Sequence, residues 1–150
     1  MRVVVQRVIN SDVKVLGKVI GEIGKGFMVL ASFIDDDNDV DLDWISNKII
    51  NLRIFNDEEG KMNKSLLDVG GDILLISQFT LHGSTRKGNR PSFIKAAKPE
   101  YANKMYEKLI QVFEQSIGKK IQTGEFGGDM KVSLINDGPT TIIIDSKNKE

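Results

Sequence analysis

Met130-Lys131-Val132-Ser133-Leu134-Ile135-Asn136-Asp137-Gly138-Pro139-Thr140-Thr141-Ile142-Ile143-Ile144-Asp145 sets two strand-like runs on either side of a Gly-Pro turn. The first run alternates apolar and polar residues, as a half-buried strand does. The second, from Thr141 to Asp145, is β-branched and apolar and suits a strand closing a sheet. Gly followed by Pro is a turn signal, and X-Pro bonds are where cis peptides occur. Spacing alone favours a hairpin connector here. The turn carries no His, Cys or Lys, so any chemistry there rests on backbone groups and small hydroxyls.

Upstream, Ile73-Leu74-Leu75-Ile76 is apolar on both faces, which marks a central strand. It runs into Ser77-Gln78-Phe79-Thr80-Leu81-His82. On a strand, Ser77, Phe79 and Leu81 share one face, and Gln78, Thr80 and His82 the other. A strand that turns polar is ending at a site or at the surface. Thr80 and His82 are a hydroxyl and an imidazole, but i and i+2 side chains lie roughly 7 Å apart along a strand. That is outside hydrogen-bond reach, so His82 is a poor catalytic base.

The remaining chain alternates strand and helix signals. Residues 1–9 read as a strand, and Val13 to Ile23 as a hairpin or two short strands around Gly17-Lys18. Gly26 to Phe33 is a continuous apolar run, hence a buried strand. Val40, Trp44, Ile45, Ile49 and Leu52 predict a helix over 39–52, capped by Asp39 or Asp41. Asn51 to Phe55 is extended, Asn56 to Lys61 a turn, and Ser65 to Asp68 a short piece broken by Gly70-Gly71. A second helix starts at Pro99 and stops at Gly118. Ser146 to Glu150 reads as a frayed tail. The sum is an α/β fold in one domain spanning 1–150: about seven strands in mixed β-sheets forming two layers, with two long helices packed on one side. Two helices cannot cover both faces of a large sheet, so a leftover apolar face predicts a dimer.

Composition excludes several classes. The 150 residues contain no cysteine, so there is no disulfide framework or thiolate site. The single histidine, His82, rules out a His-rich zinc site. Carboxylate-only magnesium or calcium sites stay open, but no metal or cofactor is expected. No apolar run approaches the ~20 residues that span a bilayer, and a strand at residue 1 is no signal peptide. A soluble cytoplasmic protein is the expectation, without membrane partners. Formal net charge is zero, which argues against a grip on long duplex DNA. Charge is nonetheless segregated, with acids from Asp35 to Asp43 and bases at Arg86, Lys87, Arg90, Lys95 and Lys98. Each block is either a solvated loop or, for the bases, a contact to the end of a nucleic acid.

Six ordered blocks together resemble the D-aminoacyl-tRNA deacylases. They are Met1 to Val8, Asn51-Leu52-Arg53-Ile54-Phe55, Leu75 to Leu81, Lys87-Gly88-Asn89-Arg90-Pro91-Ser92-Phe93, Thr123 to Met130, and Val132 to Thr141. His82 stands where Tyr or Phe is expected, Gly128 where Ala is common, and Thr140 where Val is frequent. The resemblance implies a homodimer that hydrolyses the ester joining a D-amino acid to the 3′ adenosine of tRNA. It implies that Gly138 and Pro139 form a cis turn entering the partner subunit's active site as a chirality gate. Ser77, Gln78, Phe79 and Thr80 would hold the adenosine and the ester. Recognition would be through the main chain, with help from the substrate's own ribose 2′-hydroxyl. Phe126, Met130 and Asn136 would meet the adenosine, and Arg86, Lys87 and Arg90 the phosphates near the 3′ end. Phe126 and Met130 are equally readable as core residues.

Aminoacyl esters are labile, so orientation and polarisation of the carbonyl suffice. The N–H of Phe79 or Thr80 suits an oxyanion site, and the Gly138 and Pro139 carbonyls suit the substrate ammonium. A rigid backbone wall against the α-carbon excludes L side chains while D side chains point to solvent. Glycine, with nothing to clash, also enters, so glycyl-tRNA is an expected second substrate. Two alternatives stay open: an esterase with Thr80 as nucleophile, and a module that binds aminoacyl-tRNA ends without hydrolysis.

Overall fold

The computed structural model describes residues 1–149. β1 (Arg2–Val15) is the strand on which the sheet is assembled. One of its edges pairs antiparallel with β8 (Met130–Asp145) along its whole length. Its other edge is shared: Arg2–Val8 pairs with β3 (Gly26–Ser32), and Ser11–Val15 with β2 (Lys18–Ile23). β6 (Asp72–Ser77) lies parallel to β3, and the short β7 (Gln122–Thr123) parallel to β6. The six-stranded sheet is therefore mixed, as expected. It curls towards a barrel, because β2 crosses β7 so closely that a Cβ on Gly21 would sit 2.9 Å from the Thr123 carbonyl oxygen. β4 (Phe55–Asn56) and β5 (Met62–Lys64) form a separate small hairpin.

Two apolar clusters explain why β3 and β6 are hydrophobic at successive positions. Phe27, Val29, Ala31, Ile73 and Leu75 face the helices in the larger cluster. Met28, Leu74 and Ile76 face the concave side, with Val8, Val13 and Ile23. Each strand alternates its side chains, but both faces meet apolar neighbours. α1 (Asp39–Ile50) and α2 (Pro99–Ile117) cover the first face. α2 begins with Pro99 at its first turn and ends at the left-handed Gly118, as its sequence signals demand.

Several expectations need correction. α1 is capped by Asn38, not by Asp39 or Asp41. The Asn38 side chain accepts from the Val40 N–H at 3.0 Å, and Asp41 reaches back to the Asn38 N–H at 3.0 Å. This reciprocal box starts the helix one residue earlier than a lone aspartate would. Residues 65–68 form a turn held by Asp68, which accepts from the Ser65 N–H at 2.8 Å. The tail that follows Asp145 is not frayed where it starts: the Ser146 N–H donates to the Met1 carbonyl at 2.9 Å. Lys147 Nζ donates to Asp41 at 2.9 Å, and only Glu150 of that tail lies outside the described residues. The Gly-Pro stretch is not a hairpin turn, because β8 continues past it along the same partner strand, with a bulge in between. Residues 78–82 have left the strand. No helix among the described residues is long and apolar enough to cross a membrane.

Candidate active site

β6 stops at Ser77 because the chain turns over the end of β3: the Gln78 N–H makes a last sheet-like bond to the Ala31 carbonyl at 2.7 Å. Phe79–His82 then coils into a single 3-10 turn. Its carbonyls are well occupied. Gln78 O accepts from the Leu81 N–H at 3.3 Å and Thr80 O from the Gly83 N–H at 2.9 Å. Phe79 O accepts from the Ser32 hydroxyl at 3.3 Å, and Leu81 O from the Arg2 guanidinium at 2.9 Å. The N–H groups of Phe79 and Thr80 start the turn and so have no acceptor within it.

The turn overturns the strand-face assignment of Ser77 to His82 and separates Thr80 from His82. Thr80 is exposed, and its hydroxyl accepts from the Gln78 amide at 2.6 Å. His82 is buried, with Nδ1 2.7 Å from Ser32 Oγ. Burial holds its imidazole below the ordinary pKa, and the nearby Arg2 cation adds to that. Among the described residues Thr80 has no base beside it.

Ser77, Gln78, Phe79, Phe126 and Met130 line one cavity of about 910 Å³, floored by Leu30 and Ile76. Thr80 and Asn136 lie outside its lining. Phe126 is brought there by the loop after β7 and rests on Tyr106 of α2, ring centres 5.8 Å apart. The Tyr106 hydroxyl is itself fixed, donating to the Leu75 carbonyl at 2.7 Å, and burial pushes its pKa up. Met130 enters over Gly124, where any Cβ would collide with the thioether. The glycine-rich loop is thus a packing requirement of the cavity wall.

Asn136, Gly138 and Pro139 sit on a bulge in β8. Between Asn136 and Thr141 the strand takes five steps while β1 takes two, from Val8 to Gln6. The surplus residues project from the sheet. The Gly138–Pro139 peptide is cis, and Gly138 has φ 123°, open only to glycine. Asn136 ties the bulge across its neck, accepting from the Thr140 N–H at 2.9 Å and donating to Thr141 Oγ1 at 3.0 Å. Its amide is committed to the bulge. Thr140 is buried and its hydroxyl has no partner among the described residues. Gly138 and Pro139 are exposed and do not line the cavity of their own chain.

Arg7 is the residue that sequence reasoning missed. It is 5 % exposed, and its Nε donates to the Asp137 carbonyl at 3.1 Å with the Asp137 carboxylate at 3.2 Å. Its Nη1 donates to the Ile54 carbonyl. The available signal was an arginine set between Val5 and Val8 in an apolar strand.

Arg86, Lys87 and Arg90 are exposed on the loop after the 3-10 turn and make no ion pair among the described residues. The loop is closed by Ser84 and Ser92, which exchange backbone bonds of 2.8 and 2.9 Å. Phe93 at its base packs edge-on against Phe79, ring centres 5.1 Å apart. No cluster of three metal-ligating side chains occurs among the described residues.

Residues 4–145 match the family model described as D-Tyr-tRNA(Tyr) deacylase. A protein of Flavobacterium johnsoniae named D-aminoacyl-tRNA deacylase is 57 % identical over 150 residues, covering 100 % of both chains. One of the same name from Bacteroides thetaiotaomicron is 56 % identical over 150 residues, again covering 100 % of both. A solved structure described as c-Myc DNA Unwinding Element Binding Protein superimposes with TM-score 0.91 at 39 % identity, over 97 % of this chain and 98 % of that one. Another, described as a probable eukaryotic D-amino acid tRNA deacylase, shares the fold with TM-score 0.83 at 20 % identity, over 95 % of this chain and 97 % of that one. Sequence match and fold agree over nearly the whole length: the chain belongs to the D-Tyr-tRNA(Tyr) deacylase family.

Proposed function

We propose that the protein hydrolyses the ester between a D-amino acid and the 3′ adenosine of tRNA, releasing both as chiral proofreading in translation. The observation that carries this is the convergence of Ser77, Gln78, Phe79, Phe126 and Met130 on one cavity, in a chain of this family. Phe126 stacks on the adenine, with Met130 packed beside the nucleoside and Asn136 contributing through the bulge that it ties. Water adds to the ester carbonyl, and the Phe79 and Thr80 N–H groups stabilise the developing oxyanion. The ribose 3′-oxygen then leaves with a proton relayed by the adjacent 2′-hydroxyl. The scheme needs neither metal nor cofactor.

The protein acts as a homodimer in this reading. Leu30, Val132 and Leu134 line the cavity half-buried, and Ile143, paired with Val4 on the same face as Leu30, is 68 % exposed. A second copy would cover this apolar surface and bring its Gly138-Pro139 bulge to the neighbouring cavity. There the turn excludes L side chains and admits D side chains and glycine. Arg86, Lys87 and Arg90 meet phosphates near the 3′ end, in keeping with zero net charge and a grip on the acceptor end only. The cytoplasm, where tRNA is charged, is the proposed location.

Loss of amino acid from D-Tyr-tRNA is the test. Release well above the buffer rate is expected, and release at the buffer rate would leave only an end-binding module. Sedimentation at micromolar concentration tests the dimer, which a monomer alone would contradict.

A further inference from the structure

His82 lies behind the substrate-facing turn and does no chemistry in the proposed reaction. Its geometry is nevertheless specific. Ser32 Oγ is 2.7 Å from His82 Nδ1 and 3.3 Å from the Phe79 carbonyl oxygen. A serine hydroxyl has one proton to give. With Nδ1 bare, Ser32 donates to the imidazole and the Phe79 carbonyl loses the bond. With the proton on Nδ1, the imidazole donates to Ser32 and Ser32 donates to Phe79, so both contacts are hydrogen bonds at once.

We infer that His82 is a positioning residue: as the Nδ1–H tautomer it directs the Ser32 hydroxyl onto the Phe79 carbonyl and fixes the peptide that presents the Thr80 N–H. Phe79 C=O and Thr80 N–H belong to the same planar peptide. Anchoring the carbonyl therefore orients the N–H, and polarising it strengthens the N–H as a donor. The charged groups facing His82 are Arg2 and the Met1 amine at the start of β1, Asp145 at the end of β8, and Asp37 before α1. They are paired among themselves, Arg2 with Asp145 at 2.9 Å and the amine with Asp37, so none takes the imidazole as its counter-ion. The inference rests on the deacylase reading only for what the Thr80 N–H does, not for the relay itself.

The protein has one histidine, so imidazole nitrogen NMR reads His82 without ambiguity. The expected result is the Nδ1–H tautomer in the neutral protein, against the Nε2–H form usual in water, with a shift towards Nε2–H in Ser32→Ala. In single-turnover deacylation of D-Tyr-tRNA, Ser32→Ala is expected to lower the chemical rate roughly threefold to tenfold with KM changed less than about twofold. His82→Phe frees the Ser32 rotor and costs less. The double variant should be no slower than Ser32→Ala, as for two groups acting in series. A neutral Nε2–H imidazole, or fully additive losses in the double variant, would overturn the relay. A wild-type protein that hydrolyses no D-ester would refute the deacylase reading instead, and the tautomer measurement would still decide the relay.

Discussion

Arg7 lies directly beneath Gly138: its Nη2 stands 2.9 Å from where a Gly138 Cβ would be, while its Nε holds the neighbouring Asp137 carbonyl at 3.1 Å. The exposed bulge thus rests on a buried cation. This relationship ties the shape of the bulge to a residue on the adjacent strand.

Gly138→Ala should therefore damage the bulge twice, through φ 123° and through contact with Arg7 and with Thr140 Oγ1 at 2.7 Å. Arg7→Met should remove charge-assisted bonds to Asp137 and Ile54 and destabilise the fold by about 2–3 kcal/mol. Urea unfolding measures the second and D-ester hydrolysis the first. An Arg7→Met protein as stable as wild type would show that the anchor does not matter.

Thr80 offers a clean separation of mechanisms. Its hydroxyl accepts from Gln78 and has no base beside it, so Thr80→Ala should keep most of the deacylation rate. A loss beyond ~10³-fold would restore Thr80 as nucleophile.

Phe126 is half-buried on Tyr106 with its ring at the cavity wall. If it stacks on the adenine, Phe126→Ala should weaken substrate binding by about 5- to 150-fold, the range of a lost base–aromatic stack. An unchanged KM for D-Tyr-tRNA would make Phe126 a packing residue only.

The buried His82 makes stability depend on pH below the ordinary histidine value. Its folded pKa lies below the ordinary 6.5, so the unfolded chain binds this proton first as pH falls. Stability is fully present above 6.5 and declines below it until the folded imidazole also protonates. No other side chain of ordinary pKa titrates there, because the chain has one histidine. The melting temperature should fall as the pH drops below the ordinary histidine value towards the carboxylate range, and His82→Phe should flatten that fall. Equal declines in both proteins would contradict it.

Much of this fold was legible because local signals agreed with the packing. Pro99 and Gly118 bracket α2, and the both-faced apolar runs of β3 and β6 are explained by cores on either side. Of the residues that the resemblance grouped at a site, Ser77 to Thr80 with Phe126, Met130 and Asn136, the cavity gathers all but Thr80 and Asn136. The Gly-Pro stretch misled because a hairpin and a bulge share the same turn residues. What distinguishes them is the partner strand: β1 is long enough to pair on both sides of the interruption. Strand alternation failed past Ser77 because Ser32 and Arg2, distant in sequence, capture the Phe79 and Leu81 carbonyls and coil the chain. Arg7 escaped notice for the same reason, since its partners Asp137 and Ile54 are brought to it only by the fold.

Discrimination by backbone shape is tested directly by deacylation of D-Tyr-tRNA, L-Tyr-tRNA and Gly-tRNA by the wild-type protein, each corrected for loss in buffer. Rapid hydrolysis of the D-ester, measurable hydrolysis of the glycyl ester, and an L-ester rate at the buffer level are expected. Equal rates for the D- and L-esters would contradict it.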